Sequence, residues 1–225
     1  MSKSIGIQNE SSLHRTLKYS YTGPSGETEV PVGEFVTDGI RKDGEYIEVQ
    51  TGNFGPLKKK IKELAALGKV RIIHPIAITK KIEVYDVEGS YLYSRKSPVH
   101  GSLWDIFDAL LYAPELPLIR EVSIEIVLAD IIEKRIKVGK GKRRRKDTSI
   151  KDKKLSAWHE SVLLEKPSDY LRFIPFKKKE EFTSPLLAER AGIDKDTARK
   201  ALYVLTKIKV VKRIGKKGLT WLYSR

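Results

Sequence analysis

Three residues of this chain have types and spacing suited to metal-assisted chemistry on a phosphate: Asp38, then Glu48 after nine intervening residues, then Gln50. In an extended segment, residues two apart share a face, so Glu48 and Gln50 point the same way. The turn signal Lys42-Asp43-Gly44 stands between the runs GEFVTDGI and EYIEVQTG, and a hairpin there sets Asp38 beside them. Two carboxylates on neighbouring strands are hard oxygen ligands that Mg²⁺ or Mn²⁺ accepts together with waters and, here, the main-chain carbonyl of Val49. Such an ion activates water and offsets charge developing on phosphate. Glu10, just upstream, adds a carboxylate that can orient the ion's water. The competing reading of the same residues is a solvated hairpin, with Glu48 and Gln50 on its polar face and Asp38 at its turn.

The elements that must hold these residues are legible as hydrophobic periods. Residues 9–20 read as a short helix with Leu13 and Leu17 inward. LKKKIKELAALG carries Leu57, Ile61, Leu64 and Leu67 at helical spacing and stops at Gly68. VRIIHPIAI is a buried strand, and KIEVYDV and SYLYSR are two more around a Glu88-Gly89 turn. A helix is expected over Ser102–Ala113 with Ser102 as its cap, a long strand region over 121–136, and a short helix at DYLRFI. The sum is an α/β fold with a mixed sheet flanked by helices. Residues 176–181 read as a linker, dividing a domain at 1–175 from a smaller one at 176–225. The latter has a helix at TSPLLAERAGI, a second capped by Asp194, and a hairpin around GKKG, the winged helix-turn-helix order.

Composition narrows the partners. There are 44 Lys plus Arg against 29 Asp plus Glu, a formal charge of +15, and this favours nucleic acid. The chain has no cysteine, which excludes disulfide scaffolds, cysteine zinc sites and thiol nucleophiles. The four histidines lack ligand spacing. No glycine-rich stretch has the Lys-Ser/Thr of a phosphate loop, so no nucleotide cofactor is expected. No stretch approaches the ~20 apolar residues of a membrane span and Met1–Asn9 has no apolar core, so a cytoplasmic protein without membrane contact is expected.

The order helix, Asp38, Glu48-Val49-Gln50, helix, strand resembles the PD-(D/E)xK nuclease superfamily, the restriction-endonuclease-like enzymes. There, an acidic residue on the first helix precedes a hairpin bearing Asp and then Glu-x-Lys. Glu10, Asp38, Glu48 and Gln50 match these places in order, over a core of about residues 9–80. The wider layout, with a basic arm and a terminal winged helix, is similar to a bacterial subgroup of these nucleases. The resemblance implies an endodeoxyribonuclease using Mg²⁺ or Mn²⁺, with Gln50 orienting the attacking water. Glutamine cannot supply the charge of the usual lysine. A lysine of the next helix is then expected to do so: Lys58, Lys59 or Lys60, with Lys58 the first choice. The alternative is a catalytically inactive DNA-binding or accessory protein that keeps the fold.

Two further regions are candidate DNA contacts. The segment 139–154 reads as a basic loop or hairpin tip, with Arg143, Arg144, Arg145 and Lys146 along phosphates. In the last block, Lys195, Thr197, Arg199 and Lys200 lie on the second helix and Arg213, Lys216 and Lys217 on the wing. Winged helices also serve protein contact, and a homodimer is open to such a chain. Leu202, Val204, Leu205 and Trp221 are expected in the core.

Overall fold

The computed structural model describes residues 10–138 and 147–225. Helix α1 (Ser12–Thr22) leads into β1 (Glu27–Val32), β2 (Phe35–Ile40) and β3 (Tyr46–Val49), followed by α2 (Lys58–Leu67) and β4 (Val70–Tyr85). Then come β5 (Tyr91–Lys96), the short α3 (Ile106–Leu110), β6 (Val122–Lys137) and β7 (Thr148–Leu164). These seven strands form one mixed sheet in the order β1-β2-β3-β4-β6-β7, with β5 also on β4. β3 and β6 run parallel to β4, while β2, β5 and β7 run antiparallel to their neighbours. The protein is therefore α/β, with a large mixed sheet flanked by helices, as its hydrophobic periods predict.

Period-2 alternation divides the strands between two apolar layers. Ile47, Val49 and Ile73 pack under α1 with Leu13 and Leu17. Ile72 faces the opposite way, into the layer beneath α2 and α3 with Ile61 and Leu64. Full burial of one such side chain is worth roughly 1.5–3 kcal/mol. Glu48 interrupts this pattern, standing between Ile47 and Val49 on the α2 side of the sheet at only 2% exposure. Ser11 caps α1 by accepting from the His14 amide, and Asp152 of β7 holds Ser12 through its amide at 2.8 Å and its hydroxyl at 2.6 Å. Gly39 of β2 lies against Thr22 at the end of α1, too close to admit a Cβ.

Several elements differ from their sequence expectation. VRIIHPIAI and KIEVYDV are one continuous strand, because the polar Thr79-Lys80-Lys81 stays paired with β6. Residues 148–154 are strand rather than loop: the β6 edge must satisfy its backbone groups, and that demand outweighs a loop-like composition. The strand β1, unmarked by hydrophobicity, pairs with β2. Leu67 is exposed on α2. The Ser102–Ala113 helix is a single 3₁₀ turn followed by α3, and DYLRFI is 3₁₀ over Pro167–Phe173.

The last block holds β8 (Phe182–Thr183), α4 (Ser184–Ala191), α5 (Lys195–Lys207), β9 (Lys212–Lys217) and β10 (Thr220–Ser224), with a three-stranded sheet β8-β10-β9. Gly192, in the left-handed region at φ 65°, closes α4, and Asp194 caps α5. The hairpin reverses at Gly218-Leu219, the end of the expected GKKG turn, since β9 extends through Lys217. Leu202, Val204 and Leu205 are buried. Trp221, expected in the core, is instead 41% exposed on β10, lying between Arg213 and Lys216. The apolar layer continues without a break from Phe107 and Phe173 through Phe176 and Phe182 to α5, across the expected boundary at 175.

Candidate functional site: a carboxylate pair at a strand splay

β2 and β3 pair through Gly39–Ile47 and Ile40–Tyr46, and the next step of that ladder is made by a side chain. There the Asp38 carboxylate takes the place of a main-chain acceptor, with Oδ2 receiving the Val49 amide at 2.7 Å. In return the Asp38 amide donates to Glu48 Oε1 at 3.3 Å. The splay thus brings Asp38 and Glu48 together as the hairpin predicts. Val49 meets Asp38 through its N–H.

The charges around the pair come from two helices. His14 of α1 places Nε2 3.2 Å from Asp38 Oδ2 and Nδ1 2.6 Å from Glu10. Lys18 joins Glu10 at 2.8 Å. Among the described residues, Glu10 is therefore linked to the pair through His14. From the other side of the sheet, Lys60 of α2 reaches Glu48, with Nζ 2.6 Å from Oε2.

Burial and Asp38 together push the Glu48 carboxyl up to about 7, against the pull of Lys60 and Thr37. Burial also tends to raise Asp38, but His14, the Val49 amide and Lys60 outweigh it and hold Asp38 below its ordinary value. Burial disfavours charge on His14, yet Asp38 and Glu10 leave it raised. Two close carboxylates of which one resists ionisation make a site where added positive charge is stabilising.

Two sequence expectations for the site are corrected. Gln50 turns away from the carboxylates: its Nε2 donates to the Asn53 carbonyl at 2.8 Å, while its main-chain carbonyl accepts from His74 Nδ1 at 2.6 Å. Lys58 lies 2.7 Å from Glu115, away from the pair, because residues 58 and 60 of one helix face opposite ways. Lys59 pairs with Glu34 on the exposed side. His14 was passed over in sequence because its partners lie four residues upstream and across a hairpin. The i, i+4 spacing of Glu10 and His14 was the available signal.

Among the described residues no cluster of three or more His, Asp and Glu could hold a metal ion. The pair itself offers two carboxylates, Asp38 and Glu48.

The expected DNA contacts fall into three classes. Arg143, Arg144, Arg145 and Lys146 lie outside the described residues. Lys195, Arg199, Arg213, Lys216 and Lys217 are exposed on α5 and β9. Thr197 and Lys200 are committed within the fold. Thr197 bonds Asp194 at 2.6 Å, and Lys200 bridges Asp108 of α3 at 3.0 Å and Asp196 at 2.7 Å. Among the described residues no helix is long and apolar enough to cross a membrane.

A family described as a domain of unknown function (DUF8091) matches residues 11–165, from α1 through β7. A Treponema pallidum (strain Nichols) protein, described as an uncharacterized protein, is 30% identical over 151 residues. That match takes in 67% of this chain and 60% of the relative, so the chain spans less than two thirds of its relative's length. No solved structure matches. The match covers well over half of the chain, including Asp38, Glu48 and Lys60 and ending before the C-terminal block, and the chain belongs to the DUF8091 family.

Proposed function

We propose that this protein is a metal-dependent endonuclease that hydrolyses phosphodiester bonds in DNA, built on the PD-(D/E)xK plan. The observation that carries this reading is the meeting of Asp38 and Glu48 at the β2–β3 splay with Lys60 against Glu48. The order α1, three strands, α2, β4 supports the resemblance, and Lys60 supplies from the next helix the charge that Gln50 lacks. Asp38 and Glu48 would hold Mg²⁺ or Mn²⁺, which lowers the pKa of a bound water and screens the phosphate. His14 orients Asp38, and Glu10 in turn fixes the His14 ring. Lys60 is placed to offset charge on the phosphate oxygens. The C-terminal block, read as a winged helix, would hold DNA through Lys195, Arg199, Arg213, Lys216 and Lys217, and the basic arm through 143–146.

One observation favours the second reading, a non-catalytic DNA-binding protein that keeps the fold. Each carboxylate already has a cationic partner, His14 or Lys60, and Gln50 is turned away. A cleavage assay on linear, nicked and branched DNA with Mg²⁺ or Mn²⁺ separates the two. Metal-dependent cutting abolished by Asp38→Ala is expected. Salt-sensitive binding without cutting under either metal establishes the second reading.

A further inference from the structure

β4 carries an interruption beside the carboxylate site. Its Ile73 carbonyl accepts from Gln50 at the end of β3, and its Ala77 carbonyl accepts from Gly101 at 2.8 Å. Between them the residue aimed at that edge is Pro75, which has no N–H to leave unpaired. The gap opens into a cleft of about 210 Å³. At ~30 Å³ per water this is room for roughly seven waters, less than the ~300 Å³ where drug-sized pockets begin. A small ring system is within that size range.

The lining suits such a ring. Leu13, Pro75 and Ile131 give apolar walls, and Thr51, His74 and Asp105 give polar groups. His74 is only 7% exposed. A carbonyl can only accept, so the Gln50 contact requires the proton on His74 Nδ1 and leaves Nε2 a bare acceptor. Nε2 has no hydrogen-bond partner among the described residues. An unpartnered ring nitrogen of a residue lining a cleft can take a hydrogen bond from a ligand donor. Burial keeps the ring neutral, near pKa 4, so the acceptor persists at neutral pH. Lys153 and Lys80 also line the cleft, Lys80 with its Nζ 3.6 Å from Glu133, and both bring positive charge to its rim. Both chain directions connect it to the carboxylates: Leu13 precedes His14, and Thr51 follows Gln50.

We infer that this cleft receives an unpaired nucleobase next to the Asp38–Glu48 pair, with His74 Nε2 accepting from the base and Lys80 and Lys153 on the flanking phosphates. The inference rests on the DNA reading above. A base held in a duplex cannot enter such a cleft, whereas a bulged or single-stranded one enters at small cost.

Fluorescence anisotropy in EDTA tests it with three DNAs: a duplex bearing one bulged adenine, the same bulge made abasic, and the fully paired duplex. The bulged adenine is expected to bind wild-type protein about tenfold tighter than the abasic bulge. Val99→Trp, placed at an exposed position of the lining, is expected to reduce that ratio below about twofold while abasic affinity holds. Thr51→Trp repeats the block from the other wall should the first variant fail to fold. Salt-sensitive binding with equal affinity for adenine and abasic bulges overturns the inference and leaves the DNA reading intact. A tenfold ratio that persists in a folded blocking variant also overturns it. Absence of salt-sensitive binding to all three DNAs overturns the DNA reading, and this inference with it.

Discussion

Lys60 Nζ lies 2.6 Å from Glu48 Oε2, so helix α2 delivers to the carboxylate pair the cation that β3 does not carry at Gln50. Lys58, two residues earlier, points to Glu115 instead. If Lys60 offsets transition-state charge, Lys60→Met lowers single-turnover DNA cleavage by roughly 10²–10³-fold, the usual effect of losing one electrostatic stabiliser. Lys58→Met leaves the rate within about twofold, as removal of a half-exposed ion pair should. Equal losses in the two variants would sink the assignment of Lys60.

Glu48 gives the site a defined pH dependence of stability. Its carboxyl is raised from 4.5 to about 7 by burial and by Asp38, so the folded state binds the proton more tightly than the unfolded chain. Below 4.5 the residue is neutral in both states and costs nothing. As pH rises towards 7 the destabilisation grows, and above 7 it is complete, at most about 3 kcal/mol. The difference in Tm, Glu48→Gln minus wild type, is therefore expected to climb between pH 4.5 and 7 and level off above. A difference independent of pH would contradict this account.

His14 has the opposite signature. Its folded value is raised by Asp38 and Glu10 despite burial, so its ion pairs stabilise the protein fully below its unfolded value. That contribution is lost as pH rises through the folded value. His14→Gln should lower Tm near pH 6 by roughly 2–4 °C, the shift from about 1 kcal/mol in a chain of this size. By pH 9 the deficit should shrink. Thermal melts of the two proteins across this range decide it.

The basic residues of the C-terminal block separate by their partners. Arg213 and Lys216 both lie over the exposed Trp221 ring, at 4.9 and 4.7 Å from its centroid. If this face meets DNA, Arg213→Ala or Lys216→Ala weakens binding uniformly across sequences and reduces the slope of log K against log salt by about 1. Lys200→Ala leaves that slope unchanged and lowers Tm instead, because Lys200 joins α5 to Asp108. Titrations at four salt concentrations distinguish the residues.

Much of this arrangement was legible in sequence where the signal is local. The helix stops at Gly68 and Gly192, the Asp194 cap, and the hairpin at Lys42-Asp43-Gly44 follow from neighbours in the chain. So does the pairing of Asp38 with Glu48, which a short hairpin enforces. The choice between Lys58 and Lys60 depends on helix phase relative to a sheet face, which apolar spacing defines only to within a residue or two. Trp221 reads as core by its type alone, and two cations on an adjacent strand hold it outside. Residues 148–154 read as loop because charge density conceals the backbone requirement of β6. Nothing in the spacing of His74 signals its place, since the carbonyl it meets belongs to Gln50, just past the end of β3.

The bonds from Ser12 to Asp152 tie the first helix to the seventh strand across 140 residues of sequence. During synthesis the hairpin with Asp38 and Glu48 is complete long before β7 leaves the ribosome, and α2 follows closely with Lys60. The bonds from Ser12 to Asp152 form only once β7 is made, after α1 already has β3 and β4 to pack against. An incomplete chain thus holds the carboxylates under a helix whose first turn is not yet tied down, and closure of that end reports that the whole sheet has been built.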